Sequence, residues 1–341
     1  MIWALRRLAA RGGPPLAHDF AAVAADLARR HRDDHARHAE VGVYMAGSEN
    51  AFLIGELGLD LLAWTIAPSH ALEARLAVRI AATVGDVRGL VWGGPGAMLA
   101  AAVLHEASGE ARWAGLVRDH AEALWAAWGE VPGARCHLWN QALYGQSGAL
   151  LGCLHGFAAN VVALLRCRAV LDSDRVAAIE ARALRALTAT AVRADGLANW
   201  PMCAGPTDRP NPGRLMVQHC MGAPGMIHAV AALPASGDAD ALLVAAGALV
   251  WQAGPVAKLP GLCHGAPGNG YALLKLYRRT GDAAWLERAR AFAMHAAAQA
   301  ERALAVHGQR KWSLWTGDLG LALFLQDCID GGLGFPTLDY F

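Results

Sequence analysis

The sequence is poor in charged residues and has no excess of either sign. Only 17% of its 341 residues are Asp, Glu, Lys or Arg, and the formal net charge is +1. No basic block exceeds a few positions, so the chain lacks the electrostatic footprint of a protein that binds nucleic acid or an anionic membrane. We therefore expect neither kind of partner.

The chain also lacks a recognisable signal peptide and a membrane span. Arg6 and Arg7 interrupt the apolar N-terminal stretch, so it has no signal-peptide core. The uncharged stretch 137–165 contains two His, two Asn, two Gln and four Gly. A membrane span needs roughly 20 mainly apolar residues. We therefore expect 137–165 to form protein interior rather than a transmembrane segment.

A disulfide framework is not expected. The number of cysteines is odd, the chain is large, and such proteins keep their cysteines as reduced thiols or metal ligands. Cysteines kept as reduced thiols or metal ligands predict a cytoplasmic location. The seven cysteines are Cys136, Cys153, Cys167, Cys203, Cys220, Cys263 and Cys328.

Strand signals are scarce, while Ala and Leu dominate, so we predict an all-α protein. A short glycine motif recurs before apolar runs, at separations of roughly 40–65 residues that are typical of helix-pair repeats. Its glycines suit a tight turn into a closely packed helix. The copies are IGELG (54–58), WGGPG (92–96), HGFAA (155–159), MGAPG (221–225), HGAPG (264–268) and TGDLG (316–320).

Amphipathic helices are predicted between the glycine motifs, at 111–128, 173–193 and 283–305. Alternation of apolar and half-polar helices predicts an inner ring covered by an outer ring, a double-ring α/α toroid. YGQSG (144–148) also fits the motif, so the number of helix pairs is six or seven. We find no convincing linker and predict a single domain over 1–341. A superhelical solenoid is the alternative arrangement.

Two copies of the motif follow a cysteine directly. QHCMGAPG contains Cys220, and GLCHGAPG contains Cys263 and His264. Equivalent positions on a ring of inner helices point to the same end, which would bring two thiols and an imidazole together. This ligand set matches zinc, and three protein ligands leave a fourth position open, as in catalytic sites. The alternative is that both residues are ordinary buried cysteines.

These motifs resemble those of lanthionine synthetase C and its eukaryotic LanC-like relatives. The matching segments include QHCMGAPG, GLCHGAPGNGYALLKLY and WSLWTGDLGLALFL, and the similarity extends to GGPGAMLAAAVLHEASGEARW at 93–113. The resemblance implies an α/α toroid with zinc at the centre of one end. It also implies that Cys220, Cys263 and His264 hold the metal.

The resemblance further implies an activity, the addition of a thiol to dehydroalanine or dehydrobutyrine to form a thioether. The expected partners are a dehydrated peptide or protein and a thiol, which is either the peptide's own cysteine or glutathione. The family position matching His155 in HGFAA holds a histidine proposed as an acid or base, a role that suits imidazole at neutral pH. A structural histidine is the alternative reading of His155.

The sequence departs from the family pattern at two places. A Trp commonly precedes the first metal cysteine and Tyr or His follows it, but here His219 and Met221 flank Cys220. Met221 cannot transfer a proton, and His219 is a candidate substitute for that role. An Asp that many peptide cyclases carry before an early glycine motif is replaced by Gly89, with Asp86 the nearest acid.

Two other functions remain open at this stage. One is a non-catalytic module that binds zinc and glutathione, which the loss of an acid at Met221 favours. The other is a glycosidase, because helical toroids also host that activity. Glycosidases require two opposed carboxylates, and Glu56, Asp86 and Asp318 are the acids near the glycine motifs.

Overall fold

The computed structural model describes residues 1–33, 48–255 and 260–341, and it is predominantly helical. About 60% of the chain is helix, in agreement with the predicted all-α class. Fourteen α-helices lie in the described ranges: α1 Ile2–Ala10, α2 Phe20–Asp33, α3 Glu56–Ile66, α4 His70–Ala81, α5 Gly89–Trp92, α6 Gly94–Ser108, α7 Ala111–Ala127, α8 Phe157–Arg166, α9 Ser173–Thr190, α10 Ala223–Val230, α11 Gly237–Ala253, α12 Ala266–Thr280, α13 Ala283–His307 and α14 Asp318–Asp330.

The six glycine motifs each start a helix. In every copy the helix begins at the third residue of the motif, which gives α3, α6, α8, α10, α12 and α14. These motif helices contact one another in chain order, and each of the first five also packs against the helix that follows it. Every residue of α10 is buried, as are nine of the ten residues of α8. The motif helices therefore form the interior of the protein.

The intervening helices bury one face only. In α13 the buried positions include Trp285, Ala289, Phe292 and Ala296, which recur at helical spacing. The predicted helices 111–128, 173–193 and 283–305 correspond closely to α7, α9 and α13. Amphipathic periodicity therefore located the outer helices correctly.

The last glycine of a motif lets the helix start lie against a backbone carbonyl six residues earlier. A Cβ at Gly225 would lie 2.0 Å from the His219 carbonyl oxygen, and one at Gly268 would lie 1.9 Å from that of Leu262. Gly58, Gly96 and Gly320 make the same approach to their own upstream carbonyls. His219 and Leu262 directly precede Cys220 and Cys263, so this contact holds the two cysteine-bearing loops against their helices.

Backbone hydrogen bonds join the segments that precede successive motif helices, which are α5 before α6 and a loop before each of the others. Each bond connects one segment to the segment before the next motif helix, from α6 to α14. The four bonds run from Leu90 N to Leu154 O (3.0 Å), Cys153 N to Cys220 O (3.1 Å), Cys220 N to Cys263 O (3.3 Å) and Cys263 N to Trp315 O (2.9 Å). The segments therefore form a continuous hydrogen-bonded chain at the helix N-termini.

Short strands are the main feature that the sequence did not predict. They form small antiparallel sheets between α7 and α10, and β4 pairs with both β3 and β7. YGQSG lies in the β3–β4 hairpin instead of starting a seventh helix. The strands are β1 Gly129–Glu130, β2 His137–Leu138, β3 Gln141–Leu143, β4 Gln146–Leu150, β5 Val192–Ala194, β6 Leu197–Asn199, β7 Cys203–Ala204, β8 Val217–Gln218 and β9 Met221–Gly222.

The stretch 137–165 contributes three of these strands and α8, with most of its apolar residues buried. Within the described parts of the chain, every helix is too short or too polar to cross a bilayer.

The substitution Gly268→Ala should destabilise the protein, because its Cβ would collide with the Leu262 carbonyl. We expect the free energy of unfolding to fall by about 1–3 kcal/mol, the usual cost of overpacking. Gly115→Ala is the matched control, because Gly115 lies inside α7 and a Cβ there meets no atom of the described residues within 4 Å. The control should gain about 0.5–1 kcal/mol. Urea denaturation of both variants measures the difference, and equal effects would contradict the role of the close approach.

Candidate functional site

Cys220, Cys263 and His264 come together at the N-terminal ends of the motif helices. Their ligand atoms all lie within 4.8 Å of one another. Cys220 occupies the turn between β8 and β9, whereas Cys263 and His264 lie in the loop before α12. The bond from Cys220 N to Cys263 O ties these two loops together. Residues 43 positions apart in sequence therefore meet in one cluster.

The three residues differ in exposure, which opens the cluster on one side. Cys263 is buried, Cys220 is half-buried and His264 is exposed. An apolar cluster backs the thiols, with Cys220 and Trp315 packed against it. Its members are Val91, Trp92, Leu143, Leu150, Leu154, Cys203 and Cys263. One side of the group is thus apolar and the other is accessible.

The two thiols cannot both ionise without a nearby cation. The Cys263 thiol donates to the Cys220 sulfur, and this hydrogen bond, with help from His264, lowers the pKa of Cys220 to about 6. The same bond and burial raise the pKa of Cys263 far above its usual value. A divalent cation would allow both thiols to ionise, because metal coordination deprotonates a thiol outright.

The spacing of the donor atoms also fits a zinc ion. Cys263 Sγ and His264 Nε2 are 3.8 Å apart. Zinc bond lengths and a tetrahedral angle would place such a pair about 3.6 Å apart. Two sulfurs and one imidazole nitrogen are also a donor set that zinc prefers. The residues present therefore fit zinc in both chemistry and spacing.

His155 lies outside this three-residue group, directly before Gly156 and α8. Its Nε2 is 3.5 Å from Tyr144 Oη, and the two rings meet edge to face with centroids 5.8 Å apart. Burial lowers the pKa of His155 to about 4, so the imidazole is neutral at pH 7. His155 can accordingly accept a proton at neutral pH, but it does not start with one to donate as imidazolium.

His219 belongs to a second group, with Cys153 and His228, in which all three residues are buried. His219 Nε2 is 2.8 Å from His228 Nδ1, and Cys153 Sγ is 3.9 Å from the same nitrogen. The His219 ring stacks on Phe335, with centroids 4.1 Å apart. A nitrogen–nitrogen distance of 2.8 Å is that of a hydrogen bond.

A part-buried ion pair between Lys275 and Asp339 sets the tautomers in this second group. His228 Nε2 is 3.3 Å from Asp339 Oδ1, and Lys275 Nζ is 2.5 Å from Asp339 Oδ2. Burial raises the pKa of Asp339, but His228 and Lys275 outweigh it, so the pKa lies well below its usual range. The ionised Asp339 accepts the Nε2 proton of His228, and His228 Nδ1 then accepts the Nε2 proton of His219.

This network directs the proton of His219 into the protein interior. Burial lowers the pKa of His219 well below its usual value, so the ring is neutral. Its Nδ1 is buried and has no hydrogen-bond partner among the residues that the structure describes. The His219 side chain is therefore bonded toward the protein interior directly before Cys220, and its predicted catalytic role stays a prediction.

Sequence reasoning also missed His228, Lys275 and Asp339. His228 lies inside α10 and Lys275 inside α12, while Asp339 comes from the end of the chain. No local spacing relates these residues to Cys153 or His219. Only the packing of α10, α12 and the C-terminal segment brings them together, so the sequence alone carries no signal for the network.

The acids considered for a glycosidase are engaged in ion pairs. Arg88 binds both carboxylate oxygens of Asp86, with Nη2 to Oδ2 at 2.7 Å. Glu56 is buried against Arg79, and Asp318 lies 3.9 Å from Arg310. Paired carboxylates do not provide the two opposed acids that glycoside hydrolysis requires.

The same ion pair bears on the Asp that many peptide cyclases carry before an early glycine motif. Asp86 is held by Arg88, which leaves it poorly placed to replace that Asp.

Comparison with known proteins places the chain in a family. The model for lanthionine synthetase C-like proteins matches residues 93–338, and the chain belongs to this family. One curated relative is LanC-like protein GCL1 of Arabidopsis thaliana, 41% identical over 101 residues. Another is the protein named glutathione S-transferase LANCL1 of Danio rerio, 36% identical over 122 residues.

These two curated matches are partial on both sides. They cover 28% and 34% of this chain, and 22% and 29% of the two relatives' own lengths. The family is therefore shown by the match over 93–338.

The substitution Asp339→Asn should destabilise the protein by about 3 kcal/mol at pH 7, because it leaves the buried Lys275 ammonium unpaired. In the folded protein the pKa of Asp339 is lowered, so its stabilisation is complete above the unfolded value of about 3.9. That stabilisation is lost as the pH falls from about 4 through the folded pKa. The difference between wild type and variant should thus be constant from pH 7 to about 4 and shrink below it.

Denaturant unfolding at several pH values measures this dependence. Asp195→Asn is the control, because Asp195 is an exposed turn residue with a positive φ that asparagine tolerates. It should change stability by less than about 0.5 kcal/mol. An Asp339→Asn variant as stable as wild type at pH 7 would show that the ion pair does not hold this region.

Proposed function

We propose that the chain binds zinc through Cys220, Cys263 and His264 and adds a thiol to dehydroalanine or dehydrobutyrine, forming a thioether. The observation that carries the proposal is the meeting of two thiols and an imidazole at one accessible point, with donor atoms within 4.8 Å. Membership of the lanthionine synthetase C-like family supports the same reaction. Three protein ligands leave a position for an incoming sulfur.

Zinc bound there would favour ionisation of the substrate thiol, because an unperturbed thiol has a pKa of about 8.5 and is largely protonated at neutral pH. The chain's own residues would supply an apolar wall beside the thiol and an acceptor for its proton. The apolar cluster behind Cys263 excludes water from one side of the thiol. His155 is neutral and its Nε2 can take the proton that the thiol loses.

The substrates that we propose are a dehydrated peptide or protein and a thiol donor. If the thiol is a cysteine of the same peptide, the product is a lanthionine-type ring. If it is glutathione, the product is a glutathione adduct, and the name of the Danio rerio relative, glutathione S-transferase LANCL1, favours this donor. Both reactions form the same carbon–sulfur bond at the same site.

We also propose that the six motif helices and their outer partners close into a double-ring toroid forming one domain over 1–341. The contacts in chain order from α3 to α14 support this arrangement. All seven cysteines are free thiols, which supports a reducing compartment such as the cytoplasm.

A second candidate is a module that binds zinc and glutathione without catalysis. The observation in its favour is Met221, which stands where the family commonly has an acid–base side chain. The two candidates differ in their dependence on His155, since binding alone needs no proton transfer.

Metal analysis tests the proposed ligands. Purified wild type should contain about one zinc per chain, and Cys220→Ala, Cys263→Ala and His264→Ala should each lose most of it. Cys203→Ala is the matched control, because Cys203 lies in the same apolar cluster but outside the three-residue group. Wild-type zinc content in Cys263→Ala would exclude the proposed site.

The activity test uses the zinc-loaded full chain with a dehydroalanine peptide, with and without glutathione, followed by mass spectrometry. His155→Ala should lower the turnover of thioether formation by about 100- to 10,000-fold, the usual contribution of a general acid or base. Its zinc content and glutathione affinity should match wild type. His70→Ala, at an exposed position, is the control.

Absence of thioether from zinc-loaded wild type under both conditions would refute the enzymatic proposal. Glutathione binding without turnover, unaffected by His155→Ala, would instead support the binding module.

A further inference from the structure

Tyr144 occupies an unusual backbone position. It and Gly145 form the two-residue turn between β3 and β4, with φ values of 58° and 72°. Turns of this kind favour Asn-Gly or Asp-Gly, because a bulky side chain at positive φ is strained. Strain of this kind persists only where the surrounding structure holds it, and it is concentrated at functional sites. The turn therefore invites a functional explanation for Tyr144.

The loop at 207–209 clamps the turn from outside. Arg209 Nη2 donates to the carbonyl oxygens of Leu143 (2.6 Å) and Gln146 (2.9 Å), which flank the turn on either side. The Asp208 carboxylate accepts from Ser147 N at 2.6 Å. These bonds hold the hairpin tip in place, so the position of the Tyr144 phenol is fixed by the surrounding structure.

The hydrogen bonds at Tyr144 link its phenol to Trp92 on one side and to His155 on the other. The indole Nε1 of Trp92 can only donate, and it lies 2.8 Å from Tyr144 Oη, which must accept this bond. With the imidazole proton of His155 assigned to Nδ1, the phenol can donate its own hydrogen to His155 Nε2, which lies 3.5 Å away. Trp92, Tyr144 and His155 thus form one chain of donors and acceptors.

The hydrogen-bonded group of Trp92, Tyr144 and His155 lies beside the proposed zinc ligands. Trp92 and Leu143 belong to the apolar cluster that contains Cys263 and packs against Cys220. Tyr144 itself is 42% exposed, so its phenol is accessible to a substrate. The phenol and its imidazole partner therefore lie at the accessible edge of the cluster that contains Cys263.

From this geometry we infer that Tyr144 is a catalytic residue that protonates the α-carbon of the dehydroamino acid during thiol addition. The inference rests on the proposed function and deepens it. It also explains how the chain can work with Met221 in the place of an acid, because the phenol on the β3–β4 turn supplies the missing group.

The proton and electron balance closes without a co-reactant. The phenol first turns from His155 Nε2 toward the bound dehydroamino acid, which frees the lone pair of that nitrogen. The thiol then loses its proton to His155 Nε2, and its sulfur forms a bond to the β-carbon. The carbon–carbon π bond breaks, and its electron pair moves to the α-carbon and the adjoining carbonyl as an enolate. Tyr144 gives its proton to the α-carbon, and the imidazolium of His155 returns a proton to the phenolate. The product has gained the sulfur and hydrogen of the thiol.

His155 alone fits this sequence less well. It is neutral at pH 7 because burial lowers its pKa to about 4, so it enters the reaction as a base without a proton to give. A phenol that begins protonated can deliver its proton as soon as the enolate forms. The buried imidazole of His155 therefore serves as the base and the exposed phenol of Tyr144 as the acid, because their environments differ.

The test compares Tyr144→Phe with wild type, using the zinc-loaded full chain, a dehydroalanine peptide and glutathione. The kcat should fall by about 100-fold or more, while KM for both substrates stays within about threefold. Zinc content and the calorimetric affinity for the finished glutathione adduct should not change. The residual product should lose its single configuration at the α-carbon, because water then delivers the proton.

Two further variants complete the test. Trp92→Phe keeps an aromatic ring but removes the bond that orients the phenol, so kcat should fall by only about three- to tenfold. Tyr277→Phe removes a half-buried phenol from α12 and should behave as wild type.

A Tyr144→Phe variant with wild-type kcat, or one that is slow but still gives a single α-carbon configuration, would overturn the inference. If wild type is active while Tyr144→Phe gives either of these results, the proposed function stands and only the role of Tyr144 is refuted. If wild type is inactive, both the proposed function and the role of Tyr144 are refuted.

Discussion

The close approach of glycine to backbone carbonyl is the contact on which the site depends. At Gly225 and Gly268 the helix start lies so near the preceding loop that no Cβ fits. The carbonyls concerned belong to His219 and Leu262, so the contact fixes the residues that directly precede Cys220 and Cys263. Hydrogen bonds between the loops then set one cysteine relative to the other. The positions of the thiols are therefore determined by backbone packing before any metal binds.

Two kinds of histidine environment occur at this end of the protein. His219 and His228 are enclosed and bonded in series to Asp339, whose partner Lys275 keeps it ionised. His155 is instead half-buried and faces a phenol. All three rings are neutral at pH 7 because burial lowers their pKa values. What distinguishes them is where their nitrogens point, into the core or toward the accessible edge.

Much of this arrangement could be predicted from sequence, and the rest could not for identifiable reasons. The glycine motifs and amphipathic periods located both sets of helices, because each is a local signal. The juxtaposition of Cys220 with Cys263 and His264 followed from their equivalent places in the repeat. The hairpins were missed because strands of two to five residues show too little alternation. The turn at Tyr144 was mistaken for a possible helix start, and the partners of His219 depend on tertiary packing alone.

The starts of α8, α10 and α12 have a consequence for the electric field around the cysteines. Each begins after a glycine that provides no side-chain cap. Every α-helix carries roughly half a positive elementary charge at its N-terminus, and here three such ends adjoin loops that are bonded to one another. A chain with a net charge of only +1 thereby acquires a local positive potential from peptide dipoles, beside that of its Lys and Arg side chains. Such a potential favours thiolates, enolates and the carboxylates of peptide ligands.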